Sequence, residues 1–246
     1  MKITAFAMLC SALLVPPVRA DVSATYQIKQ SGFWSFENHT RTLRVKGLKL
    51  RLETKGPMQR VTIYDLETGK RYRPDPRHRQ IFVMDLKAAG KRELEHVAVN
   101  RLKRKLRATG NKREIIGSAC EEFAFELQAP SVRSNLRDSG IACISTTNPA
   151  GAEIVNFVNE AKKRGYATAA ALWSPYYSPI CSFFYMDEQN TLVVSAKIES
   201  LEVFLAGADW RMDSTTTLTE LNLSPISDEL FRLPSDWKLR EDPEGR

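Results

Sequence analysis

Three histidines, His39, His78 and His96, are the side chains of this chain best suited to move a proton near neutral pH, and none stands beside a nucleophile motif. Enzymes need convergent groups: a nucleophile with a base, an acid with a base, or metal ligands with an open position. The chain carries no GxSxG, no HExxH, no P-loop and no GxGxxG. Its adjacent acids, Glu121-Glu122 and Asp187-Glu188, read as solvated strand-edge or turn residues. No catalytic residue, metal site or cofactor is therefore expected, and a hydrolase with a dispersed site is the least favoured reading. Cys120, Cys143 and Cys181 include no CxxC and no nearby histidine pair of the kind that holds zinc.

The cysteines point instead to compartment. Met1 to Ala20 has the layout of a secretory signal: Lys2, an apolar run from Ile3 to Val15, Pro16-Pro17, then Val18 and Ala20 around Arg19. The run falls short of the roughly 20 residues that span a bilayer. Cleavage after Ala20 and a periplasmic location are expected, so thiols pair. Cys120 and Cys143 lie in neighbouring strand-like segments, Ala119 to Leu127 and Gly140 to Ser145, and are the predicted disulfide; Cys181 is left as a buried thiol. The net charge of +7 falls once Lys2 and Arg19 leave with the signal, and the surface stays basic. Outside the cytoplasm that balance suits an anionic membrane surface or an envelope protein, and not nucleic acid.

What would position a ligand is a meander. Arg41 to Leu86 alternates apolar and charged residues, as in Leu48-Lys49-Leu50-Arg51-Leu52-Glu53, and is punctuated by Gly47, Gly56-Pro57, Gly69 and Pro74-Asp75-Pro76. Its greasy face needs a cover. A first amphipathic helix is predicted over Lys91 to Arg107, with Leu94, Ala98, Leu102 and Leu106 recurring at i+4 among basic residues. A second begins at the cap Asn148 with Pro149, buries Ile154, Phe157, Val158 and Ala161, and closes at Lys162-Lys163-Arg164-Gly165. The apolar run Tyr166 to Pro179 is read either as core or as a rim built from Trp173 and Tyr176. Strands are predicted at Val22 to Lys29, Ile180 to Met186, Thr191 to Glu199 and Thr215 to Leu223. The charged segment 240–246 reads as a disordered tail after a single domain over 21–239.

Two motifs, Val61-Thr62-Ile63-Tyr64-Asp65-Leu66-Glu67-Thr68-Gly69-Lys70-Arg71-Tyr72-Arg73-Pro74-Asp75-Pro76 and Ile226-Ser227-Asp228-Glu229-Leu230-Phe231-Arg232-Leu233-Pro234-Ser235-Asp236-Trp237-Lys238, resemble LolA-like periplasmic carriers. Ile116-Gly117-Ser118-Ala119-Cys120 resembles a strand of a branch classed as a domain of unknown function. The resemblance implies an α+β fold: a strongly curved, incomplete antiparallel β-barrel, or half-barrel, with helices covering the concave face. It also implies an apolar cavity for a lipoprotein acyl chain or other lipid, with Arg41, Arg44 and Arg51 as candidates for the arginine that latches the lid. The expected function is a monomeric, non-enzymatic carrier of a lipid or other amphiphile. Its cavity candidates are Leu43, Leu50, Leu52, Val61, Ile63, Phe82 and Met84, with Trp173 and Tyr176 at the rim. The competing reading is an envelope sensor or interaction module whose concave face is filled by its own helices.

Overall fold

The structure is a computed structural model, and it describes residues 20–32, 35–56, 59–89, 103–130, 134–166, 192–204 and 209–242. Alternating strand sequence dominates. In chain order the strands are β1 (Val22–Gly32), β2 (Ser35–Lys46), β3 (Lys49–Lys55), β4 (Arg60–Asp65), β5 (Lys70–Asp75) and β6 (Gln80–Asp85), then β7 (Lys103–Ile115), β8 (Ser118–Pro130) and β9 (Ser134–Ser145). Helix α1 (Pro149–Lys163) follows, then β10 (Leu192–Phe204), β11 (Asp209–Asn222), a 3-10 turn at Asp228–Phe231 and β12 (Lys238–Glu241).

All twelve strands hydrogen-bond into one sheet in the order β12-β6-β5-β4-β3-β2-β1-β11-β10-β9-β8-β7. Every pairing is antiparallel except that of β12, which runs parallel to β6. The two edge strands, β12 and β7, do not pair with each other, so the sheet is open.

This corrects the expected α+β half-barrel with helices over its concave face. The architecture is mostly β, and among the described residues the helices amount to a turn at 86–89, α1 and the 3-10 turn. The largest single change lies in the predicted helix Lys91 to Arg107: residues 103–107 belong to strand β7, while 91–102 lie outside the described residues. A leucine repeat of four is the cause, because four residues bring a side chain back to the same side of a strand as well as of a helix. The tail also differs. Arg240 and Glu241 lie in β12, and Asp242 is fully buried with its amide donating to the Val83 carbonyl at 2.9 Å.

Helix α1 forms as its sequence dictates. The Asn148 side chain accepts from the Ala150 amide, Pro149 opens the first turn, and Lys162 and Lys163 sit in the last. Its Ile154, Phe157, Val158 and Ala161 pack on Val22, Ala24, Tyr26, Leu43, Val45, Leu50, Tyr64 and Leu66. That defines a helix side of the sheet. Directly paired residues share a side, so the same face continues from Ile28 through Thr216, Ala196 and Ala142 to Phe123. There Phe125, Ala142, Ile144, Val193, Ala196 and Ile198 form a second cluster. Phe125 stands opposite Gly140, where a Cβ would meet the Lys197 carbonyl oxygen at 2.0 Å. Only a glycine lets those strands approach so closely.

On the other side the meander is covered by the C-terminal segment. Ile63 packs with Ile226 and Phe231, flanked by Val61, Tyr72, Leu230 and Leu233. Lys46 fastens this segment through the Ile226 carbonyl at 2.6 Å and Asp228 at 2.7 Å. The predicted disulfide Cys120–Cys143 is present and joins β8 to β9.

Candidate functional site

The helix side of the sheet is where the described residues concentrate both apolar surface and buried polar groups. Its apolar part was partly foreseen. Leu43 pairs with Leu52 and Leu50 with Tyr64, which places all of them on this side. Continuing through Arg71 to Met84, and through Arg73 to Phe82, adds those two apolar residues near the sheet edge. Leu43 and Leu50 are buried under α1, with Leu52 half-buried beside them.

Val61 and Ile63 are not part of that surface. They pair with Glu53 and Arg51 and therefore point to the opposite side, into the cover made by the C-terminal segment. Strand β4 reads Val61-Thr62-Ile63-Tyr64, with large residues at both parities, so alternation does not choose a face for it. Trp173, Tyr176 and Cys181 lie outside the described residues, as do His96 and the signal-like segment 1–19.

The candidate latch arginines divide in the same way. Arg41, opposite Tyr26, is 5% exposed on the helix side. Arg44 and Arg51 lie on the other side, where both bind Glu53, at 3.1 Å and 2.6 Å. Burial pulls the Glu53 pKa up, but the hydrogen bonds from Arg51 and Arg44, with their charges, outweigh it and hold the carboxyl below its ordinary range.

Sequence reading missed a band of buried polar residues crossing the middle of the helix side. Ile28 pairs with His39 on one flank and Thr216 on the other; Gln30 pairs with Ser214. Ser214 and Thr216 in turn face Ile198 and Ala196 on β10, and Asp138 lies farther along the same side of β9. His39, Arg41, Asp138, Ser214 and Thr216 are all buried, Thr216 at 0% and Ser214 at 3% exposure. Beside Arg41, burial pushes the Tyr26 phenol well above its ordinary pKa, so it stays a neutral hydroxyl. The only signal for this band in the sequence was the alternation Ser214-Thr215-Thr216-Thr217, which is also what a solvated strand looks like.

Chemically, the band offers hydrogen bonds inside an apolar frame. His39 stands across Ile28 from Thr216 and makes no nucleophile–base pair with the Ser214 or Thr216 hydroxyl. His78, the other described histidine, is exposed and bonds Asp75 at 2.8 Å. Among the described residues no cluster of His, Cys, Asp and Glu is arranged to hold a metal ion, and no helix is long and apolar enough to cross a membrane.

A second buried polar centre lies at the sheet edge, where Asp242 receives Arg71 at 2.8 Å and Arg73 at 3.1 Å, and the Arg73 guanidinium lies 5.1 Å from the Phe82 ring centroid. It tethers the C-terminus. A third is Glu122, held below the ordinary carboxylate range by the Asn111 amide and then by Thr109 and Arg113, against the effect of burial.

No family model matches the chain, and no curated protein matches it either. Among solved structures, one of PNGF-II in space group C2 is similar at 10% sequence identity with a TM-score of 0.36. The match covers 92% of this chain and 31% of that one, so this chain spans about a third of that structure's length. At that TM-score the likeness carries no argument about fold or activity.

Proposed function

We propose that the protein is a non-enzymatic binding protein or carrier for a lipid or other amphiphile, exported to the periplasm. The observation that carries the reading is the helix side of the sheet: long apolar rows interrupted by buried hydroxyl and amide groups that find no hydrogen-bond partner among the described residues. Apolar walls with a few convergent polar groups are what holds an amphiphile by contact alone. The disulfide is compatible with an oxidising compartment outside the cytoplasm. The resemblance to LolA-like carriers points in the same direction, and the basic composition suits work near an anionic membrane.

The test is ligand content. Protein purified from an expressing bacterium is extracted and its lipids identified by mass spectrometry; the delipidated protein is titrated with a fluorescent fatty acid. Copurified lipid or saturable uptake is expected, and failure of both assays would falsify the carrier reading. One observation favours an interaction module instead: α1 fills the sheet over Leu43 and Leu50 with the chain's own side chains. That alternative requires no uptake and a crosslinked envelope partner.

A further inference from the structure

Buried hydrogen-bonding groups are almost always paired, and leaving one unpaired costs about 1–3 kcal/mol. On the helix side of β1 and β11 three such groups are exceptions: the hydroxyls of Ser214 and Thr216 and the side-chain NH2 of Gln30 have no hydrogen-bond partner among the described residues. They form one patch, because Gln30 stands directly opposite Ser214, and Thr216 is the next inward residue along β11. Apolar residues frame it: Ile28 opposite Thr216 on one side, Ala196 and Ile198 opposite Thr216 and Ser214 on the other. The ionisable side chains of the same face, His39, Arg41 and Asp138, are each engaged in interactions of their own. The unspent capacity is therefore uncharged, with two hydroxyls that donate or accept and one amide that donates.

We infer that Gln30, Ser214 and Thr216 form a subsite for an uncharged polar group within an otherwise apolar ligand: a chain hydroxyl, an ester or an amide carbonyl. The inference rests on the carrier reading and sharpens it. An acidic headgroup would seek the basic residues; this patch recognises oxygen part-way along a hydrocarbon. An ester or hydroxyl there satisfies the hydroxyls at Ser214 and Thr216, and a plain methylene leaves them orphaned. A site built to hydrogen-bond an oxygen discriminates strongly against the analogue lacking it.

The experiment uses stearic acid and 12-hydroxystearic acid as probes, titrated into delipidated protein, into Thr216→Val and into Ser214→Ala. The parent is expected to bind the hydroxylated chain at least tenfold more tightly. Each substitution should cut that preference at least threefold while the thermal midpoint of the ligand-free protein holds or rises, since an unpaired buried hydroxyl has been removed. Equal binding of the two acids by the parent overturns the subsite and leaves the carrier reading standing. Preference that persists in both variants also overturns it. A fall in the ligand-free midpoint assigns the hydroxyls to the fold, through ordered water, and likewise overturns it. Uptake of neither acid overturns the subsite and the carrier reading together.

Discussion

By strand pairing Ile63 and Ile141 stand on the same side of one continuous sheet, yet Ile63 is 2% exposed and Ile141 is 46% exposed. Ile63 belongs to the half built from β1–β6, which is covered on both sides: α1 lies over Leu43 and Leu50, and the segment holding Ile226 and Phe231 lies over Ile63. Ile141 belongs to the half built from β7–β11. There Phe125, Ala142 and Ile198 are buried on the helix side, while Lys105, Arg107, Ile141 and Lys197 are exposed on the other. A β-strand does not name the segment that covers it. The difference comes from residues 224–242, far along the chain, which return to the meander and cover Ile63, whereas among the described residues Ile141 gains no such cover.

Removing that cover is the largest break. A chain ended after Ser224 loses the apolar contacts of Ile226 and Phe231, the pairing of β12 with β6 and the buried Asp242 between Arg71 and Arg73. Burial of those side chains and loss of a buried charge partner together predict a loss of about 5 kcal/mol or more. Urea denaturation should find little folded protein, with exposed apolar surface binding a hydrophobic dye. A midpoint close to that of the full chain would show that the meander does not depend on its outer cover.

The two isoleucines then test the contrast residue by residue. Ile63→Ala should cost about 2–4 kcal/mol, because it leaves a cavity under Phe231 and Ile226. Ile141→Ala should cost under about 1 kcal/mol, mainly strand propensity, because half its surface already meets water. Comparable losses at both sites, measured by chemical denaturation, would mean that something also covers the outer side of β9.

This is also where sequence was least able to reach. The helix Pro149–Lys163 was legible to the residue because cap, proline and apolar stripe agree, and the Cys120–Cys143 pairing followed from two adjacent strands. The face choice at Val61 and Ile63 was not legible, since apolar residues at both parities are what a doubly covered strand requires. Strand β7 was hidden by the leucine spacing of four. The polar patch of Gln30, Ser214 and Thr216 was invisible because it exists only through the pairing of β1 with β11, almost two hundred residues apart in sequence.

Charge pairs divide along the same line. In the covered half, Glu53 is bound by Arg51 and Arg44, side chains only about a fifth exposed, with Arg51 also reaching the Leu230 carbonyl. In the bare half, Lys105 and Glu126 pair at 3.0 Å with both side chains mostly in water. A carboxyl whose folded pKa lies below its unfolded value contributes stability above the unfolded pKa and loses it as pH falls through the folded one. Glu53 should thus steepen acid denaturation below the ordinary carboxylate range, near pH 4 and under. In Glu53→Gln the urea midpoint should fall at pH 7 and approach that of the parent at pH 3. Glu126→Gln should shift stability by less than about 0.5 kcal/mol at either pH. Equal pH dependence in the two variants would erase this part of the distinction.

The smallest effect is a gain, and it lies at the tip of the bare half. Ile115 pairs with Ser118, so Ile116 and Gly117 form a two-residue hairpin loop with φ of 47° and 74°. Such a turn favours Asn-Gly, and a β-branched residue at positive φ is strained. Packing does not compensate, because Ile116 is 47% exposed. Ile116→Asn should therefore stabilise the protein by about 1 kcal/mol, raising the thermal midpoint by a few degrees. At the equivalent two-residue loop between β2 and β3 the left-handed position is already glycine, Gly47 at 56°, and the meander's non-glycine residue at positive φ, Arg79 at 50°, is engaged in an ion pair with Asp236. A loss of stability in Ile116→Asn would place the Ile116 side chain against apolar surface, and the bare half would then be less bare at its tip than along its strands.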